Sequence, residues 1–298
     1  MLLNKSTAAI IGLGALGSLV SELLARAGVN LLIVDRDVVE LVNLQRQTLF
    51  REKDIGLLKA KSGEKHLKEI NSNVKIDSFS IDLNNENINI LKNVNLILDC
   101  TDNLETRFLL NEFSVKNRKP MIYGAAIRDK GTVMNIIPGK VCFNCIFNNT
   151  ASNETCDTSG VLNTITSLVA TIQVNEAIKI LTKQDYENSL IRIDLKNNDL
   201  IKLNIKRNPN CNVCKGVYEY LNGKKDKDLI KFCGSNYFQF RKKQNINELR
   251  KRLSRIGKII DNKDFIKFNN IIVFKDRVMV KAKNENQAKA LYSKYIGD

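Results

Sequence analysis

The sequence predicts an α/β fold: a mostly parallel sheet covered by helices on both faces, an antiparallel C-terminal part, and then a small α+β domain. Three observations predict it. Short apolar runs alternate with segments of helical spacing as far as Gly131, the pattern of strands buried in a parallel sheet. A glycine-rich turn, Gly12-Leu13-Gly14-Ala15-Leu16-Gly17, joins the first apolar run to the first helical one. Two CxxC pairs, Cys142/Cys145 and Cys211/Cys214, flank the region where the alternation stops.

The elements follow in order. Residues 8–11 read as a strand, 16–27 as a helix, and 31–34 as a second strand ending in Asp35, which makes a Rossmann-like βαβ unit. Residues 56–70 read as a helix, 74–79 as a strand, 96–99 as a buried strand, 104–115 as a helix and 121–123 as another strand. Beyond Gly131 come a strand over 132–137, a polar loop over 148–159 and a helix over 161–181. Segments 190–195 and 200–205 alternate as a hairpin turning near Asn197-Asn198. The run 222–228 has linker composition, which divides the chain into residues 1–222 and 223–298. The second part holds strands at 237–240, 265–268 and 271–280, with helices at 246–253 and 287–295.

Composition narrows the class. At 298 residues, 43% hydrophobic and 27% charged, this is a globular chain, and no apolar run is long enough to cross a bilayer, so a cytoplasmic protein with no membrane contact is expected. In a reducing compartment its seven cysteines favour metal ligation or thiol chemistry over disulfides. The net charge of +15 is segregated: from Lys224 to Asp298 there are 20 Lys and Arg against 8 Asp and Glu. A basic appended domain fits an acidic protein partner, with RNA as the alternative; the absence of Trp and of clustered stacking residues weakens RNA.

A glycine turn between strand and helix holds a nucleotide phosphate on backbone N–H groups, and here Gly12, Gly14 and Gly17 would do so. Asp35, at the end of the second strand, is placed to accept both ribose hydroxyls. The nucleotide's identity comes from elsewhere. A hydride-transfer enzyme needs an acid or base at its reacting centre, and the one histidine, His66, falls on a polar helical face where a solvated role is expected. The stretch from Asp35 to Gln47 instead carries Asp37, Asn43 and Arg46, with Lys59 soon after. Asp99-Cys100-Thr101-Asp102-Asn103 then places carboxylates at the C-terminal end of a buried strand. Cations beside a carboxylate able to hold magnesium suit attack on a triphosphate, where charge accumulates on the α-phosphate. Hydride transfer needs neither. The two CxxC pairs together fit a closed, structural tetrathiolate zinc site clipping the final hairpin to the sheet; either pair alone would equally suit redox chemistry.

On these residues the chain resembles the HesA/MoeB/ThiF family, prokaryotic relatives of ubiquitin-activating enzymes. The glycine turn, Asp35, Asp37, Asn43-Leu44-Gln45-Arg46-Gln47, Lys59, Asp99 to Asn103, both CxxC pairs and Cys156 before Gly160-Val161 carry the likeness, from about residue 6 to residue 217. The basic tail from about Cys233-Gly234 is similar to an extension on some members. The resemblance implies ATP-dependent adenylation of the C-terminal glycine of a ubiquitin-fold sulfur carrier ending in Gly-Gly, for thiamine or molybdopterin biosynthesis or tRNA thiolation. It further implies that Asp35 holds the ribose, Arg46 and Lys59 neutralise the phosphates, Asp102 holds magnesium, and Asn43 and Gln47 orient the nucleotide. Cys156 is a candidate nucleophile toward the activated carrier, whereas Cys100 and Cys233 read as small core residues. A homodimer is implied too. Here, however, about six residues precede the first strand, and none supplies the arginine with which relatives reach a partner subunit's ATP. Activation of a carboxylate on modified tRNA, a carrier-binding adaptor without catalysis, and an NAD oxidoreductase are the alternatives.

Overall fold

A computed structural model describes residues 3–147, 160–225, 229–231, 236–262 and 264–297. The polar loop with Cys156, and Cys233 in the tail, lie outside the described residues. Two compact units result, Met1–Lys224 and Lys225–Asp298.

The first unit is built on an eight-stranded sheet in the order β3-β2-β1-β4-β5-β6-β7-β8. Strands β1 (Thr7–Ile11), β2 (Asn30–Val34), β3 (Ile76–Phe79), β4 (Leu96–Asp99) and β5 (Met121–Ile127) run parallel. Strands β6 (Lys130–Ile136), β7 (Leu190–Asp194) and β8 (Asp199–Leu203) continue the sheet antiparallel. Helices α1 (Ala15–Arg26), α2 (Lys59–Ile70) and α5 (Asn163–Leu181) bury their apolar sides with Ala8 and Ile10 of β1. On the other face, α3 (Leu104–Asn117) and the one-turn α4 (Phe143–Ile146) pack with Ala9 and Ile11. Alternate residues of one short strand thus serve two cores, so β1 contains no polar residue beyond Thr7.

Three expectations need correction. Strand β5 runs on to Ile127 and turns at Arg128-Asp129 into β6, where the sequence suggested a strand ending at Tyr123. Gly124 explains the disguise: a Cβ there would meet the Gln173 side chain at 2.4 Å, so close helix packing on the strand demands a residue of poor β-propensity. Nor does the cysteine cluster clip the last hairpin to the sheet, because β7 is already paired with β6; it fastens the segment after β8 instead. Finally, His66 is 9% exposed, not solvated: its Nε2 lies 2.8 Å from Asp54 Oδ2.

The second unit is a six-stranded antiparallel sheet, ordered β11-β12-β13-β14-β10-β9, with two helices. Its strands are β9 (Leu229–Lys231), β10 (Tyr237–Phe240), β11 (Ile259–Asp261), β12 (Ile266–Phe268), β13 (Ile271–Val273) and β14 (Val278–Lys281). Helices α6 (Ile246–Ile256) and α7 (Glu285–Tyr295) supply Leu249, Leu253, Ala288 and Tyr292 to its core. The segment 271–280, expected as one strand, is two, because Lys275-Asp276-Arg277 interrupts its apolar residues and the Phe274 N–H donates to the Arg277 carbonyl at 2.8 Å, closing a turn.

Candidate active site and cysteine cluster

In the strand order, β1 and β4 are neighbours whose connections leave in opposite directions, and such a switch point opens a crevice at the strands' C-terminal ends. The glycine turn fills its floor. Gly12 takes φ +88°, and a Cβ there would lie 2.8 Å from the Cys100 carbonyl oxygen, while one on Gly17 would lie 1.9 Å from that of Gly12. Packing of the turn itself therefore forbids side chains at these two positions. Gly14 differs: a Cβ there would find nothing nearer than Gln47 Nε2 at 3.9 Å. Its backbone faces open space.

Asp35 holds this turn in place. Its Oδ2 accepts the Leu13 N–H at 2.6 Å and its Oδ1 accepts the Asp37 N–H at 2.7 Å. Burial pushes the Asp35 carboxyl above the ordinary range; the Lys59 charge pulls against that shift and Asp37 adds to it. Lys59 opens α2, is buried, and sets its Nζ 3.4 Å from Asp37 Oδ2. Burial opposes the Lys59 charge, but Asp37, Asp35 and Asp102 outweigh it and hold the ammonium group above its usual pKa. Asp102 is exposed, and its charge is felt by both Lys59 and Arg36. Four of the charged residues named from the sequence therefore share one electrostatic cluster.

Between β2 and α2, the Asn43 carbonyl accepts the N–H groups of Arg46 and Gln47 at 3.1 and 3.0 Å, which curls the motif into a single turn. Arg46 is half-buried with its Nη1 3.2 Å from the Val42 carbonyl. Gln47 is 3% exposed, yet its Oε1 has no hydrogen-bond partner, and neither does the buried Oδ1 of Asp37. Buried acceptors of this kind are normally satisfied, so both fit a ligand lying over the turn.

Asp99 is a structural carboxylate: fully buried, it accepts the Thr101 hydroxyl at 2.6 Å and faces Arg107 at 3.6 Å. Sequence reading missed the Arg36–Asp82 ion pair at 2.8 Å, whose partners are 46 positions apart. It also missed Gln173, whose Nε2 donates to the Asp99 carbonyl at 3.0 Å. A signal for Gln173 existed: it and Glu176 are long polar side chains three apart on one helix face, and both are buried.

The two CxxC pairs meet. Sulfur–sulfur distances are 3.7 Å for Cys142–Cys145, 3.6 Å for Cys142–Cys211, 3.6 Å for Cys145–Cys214 and 3.5 Å for Cys142–Cys214. A tetrahedron with zinc–sulfur bonds of about 2.3 Å requires sulfurs about 3.8 Å apart, so the cage can hold a zinc ion. Burial first, then the charges of the other three sulfurs, push the Cys142 thiol far up, so four thiolates in this space need a cation. Arg207, donating to the Cys214 carbonyl at 3.3 Å, borders a cleft of about 380 Å³ together with Arg118 and Lys140, which offsets the charge of such a centre. Among the described residues, no helix is long and apolar enough to cross a membrane.

A nucleotide crevice with an acid-flanked lysine, carrying a remote thiolate cage on the same sheet, defines an adenylating enzyme built on a dinucleotide-binding fold. Comparison specifies which. The chain belongs to the ThiF family, whose model matches residues 2–213. It is 32% identical over 317 residues to the sulfur carrier protein ThiS adenylyltransferase of Bacillus subtilis, covering 99% of this chain and 94% of that protein. It is 34% identical to the molybdopterin-synthase adenylyltransferase of Escherichia coli, over 71% of this chain and 88% of that one. It is 38% identical to the adenylyltransferase and sulfurtransferase MOCS3 of Culex quinquefasciatus, but spans only 43% of that protein's length. Among solved structures, Escherichia coli MccB with ATP superposes with a TM-score of 0.65 at 23% identity, over 72% of this chain and 68% of MccB, a likeness of fold.

Proposed function

We propose that this protein uses ATP to adenylate the C-terminal glycine carboxylate of a ubiquitin-fold sulfur carrier ending in Gly-Gly. The observation that carries the reading is the convergence of Asp35, Asp37, Lys59 and Asp102 on one crevice floored by the glycine turn. In it, backbone N–H groups of the turn bind phosphate, Asp35 accepts the ribose hydroxyls, Asn43 and Gln47 orient the nucleotide, and Lys59 and Arg46 neutralise the triphosphate. A carboxylate oxygen of the carrier forms a bond to the α-phosphorus, the bond to the bridging oxygen breaks, and pyrophosphate leaves with that electron pair. No proton need be removed, since a chain-terminal carboxylic acid is ionised near neutral pH. Asp102, exposed beside Lys59, fits a single carboxylate contact to hydrated magnesium, which would supply further charge neutralisation. The cysteine cage would hold zinc in a structural role, with four protein ligands and no open position.

Residues 1–222 would carry this chemistry and the basic residues 223–298 would meet an acidic protein partner. The Bacillus subtilis relative aligns through the basic unit as well, which supports a ThiS-like carrier. ATP–pyrophosphate exchange is the test: it should appear only with a carrier ending in Gly-Gly. Asp102→Ala should abolish it while leaving zinc content unchanged. Exchange absent with every Gly-Gly carrier of the source genome, or supported by tRNA alone, would overturn the reading.

A further inference from the structure

Helix α2 presents Lys59, Gly63 and His66 on one face, at spacings of four and three residues. Each position meets a different part of the site. Lys59 reaches Asp37, and a Cβ on Gly63 would lie 2.3 Å from Leu13 Cδ2 in the glycine turn and 3.3 Å from Leu49 Cδ2 just after the Asn43–Gln47 motif. His66, two turns below Lys59, meets Asp54 through Nε2 at 2.8 Å, and the same Asp54 oxygen accepts the Arg51 N–H at 2.8 Å. Arg51 in turn donates to the Thr48 and Phe50 carbonyls at 2.9 and 3.1 Å. One buried carboxylate therefore ties the chain leaving the Arg46 motif to the lower end of the helix that carries Lys59.

The upper end of α2 has its own anchor, the Lys59 N–H donating to the Asp37 carbonyl at 2.9 Å. One anchor fixes where the helix begins; two fix the direction of its axis, and so where the Lys59 ammonium sits over the glycine turn. Asp54 and His66 are 4% and 9% exposed, and a buried carboxylate deprived of one of its partners must turn to water instead, which displaces the segment. We propose that the Asp54–His66 pair is a positioning device that sets Lys59 against the triphosphate of ATP, rather than a solvated surface contact. This rests on Lys59 being a triphosphate ligand.

Two substitutions of similar size separate the possibilities. In His66→Gln the amide nitrogen replaces Nε2 and keeps the Asp54 contact, whereas in His66→Asn the amide stops at the position of Nδ1 and loses it. With the full-length protein and magnesium, titration calorimetry with ATP and with adenosine should show His66→Asn weakening ATP about five- to tenfold with adenosine unchanged, and His66→Gln binding both as wild type. Lys59→Met, measured alongside, should lose ATP affinity at least as much. Equal losses for ATP and adenosine in His66→Asn, or wild-type ATP affinity in that variant while Lys59→Met is impaired, would overturn the positioning role. If His66→Asn proves unfolded by circular dichroism, His66→Gln decides: impaired ATP binding in a folded His66→Gln refutes the role, and full binding sustains it. Unimpaired ATP binding by Lys59→Met would overturn the placement of Lys59 itself.

Discussion

The glycine turn makes a prediction whose two halves pull apart fold and function. Gly17→Ala places a Cβ 1.9 Å from a backbone carbonyl, where an ordinary contact begins at 3.4 Å, so α1 and the turn must separate by more than an ångström. Overpacking of this kind costs about 1–3 kcal/mol, with the upper end expected because backbone must move. At about 2–4 °C per kcal/mol for a chain of this size, the melting temperature should fall by at least about 5 °C. Gly14→Ala behaves oppositely. A Cβ there meets nothing within 3.4 Å, so no neighbour is crowded, and the loss of the glycine cap at the start of α1 costs about 1 kcal/mol. The new methyl group, however, occupies the space a phosphate needs to reach the N–H groups of the helix start. ATP affinity should fall more than tenfold, about 1.4 kcal/mol or more, with the fold retained. Thermal denaturation and calorimetric titration with ATP measure both halves. A Gly14→Ala protein that binds ATP as tightly as wild type would show that the phosphates do not pass over the turn.

Other outcomes follow from the same geometry. If the cage holds zinc as proposed, the wild-type protein should carry it and Cys211→Ser should not, measured by inductively coupled plasma mass spectrometry, because three thiolates and a hydroxyl no longer make the closed cage; full zinc occupancy in the variant would refute the four-ligand assignment. Glu187 accepts from Lys202 at 2.7 Å and from the Ser189 N–H at 2.9 Å, contacts that lower its pKa from 4.5 to about 2. A depressed carboxylate stabilises the fold above its unfolded pKa and loses that contribution as pH falls through the folded value. The gap in melting temperature between wild type and Glu187→Gln should hence be full above pH 4.5 and close as the pH falls toward 2.

How much of this was legible in the sequence depends on how local each interaction is. The βαβ unit and Asp35 were readable because strand, turn and helix are contiguous and the glycines are demanded by their own backbone. The four cysteines were readable because thiols in pairs carry their coordination chemistry wherever the chain brings them. The extension of β5 was hidden because Gly124-Ala125-Ala126 has poor β-propensity, and only Gln173, far along the chain, shows why Gly124 is required. His66 was misread because the polar face of α2 includes one position covered by Asp54, which arrives from the preceding loop. In the second unit, β9 and β11 are three-residue edge strands, too short for alternation to register.

The electrostatics of Lys59 bear on what kind of adenylation this crevice can perform. A lysine can itself take the AMP group from ATP, but only as the neutral amine, so such a residue sits where its pKa is lowered. Here three carboxylates, Asp37, Asp35 and Asp102, do the reverse and keep Lys59 charged despite its burial. Placed as proposed against the triphosphate, such a permanent cation would stabilise charge in the transition state and would be no nucleophile. Two results should follow. Incubation with ATP and magnesium should leave the intact mass of the denatured chain unchanged, and Lys59→Arg, which keeps a cation without a nucleophilic amine, should retain more pyrophosphate exchange than Lys59→Met. A covalent AMP adduct lost in Lys59→Arg would mean that the lysine is the acceptor, and that the acids around it serve some other end than holding its charge.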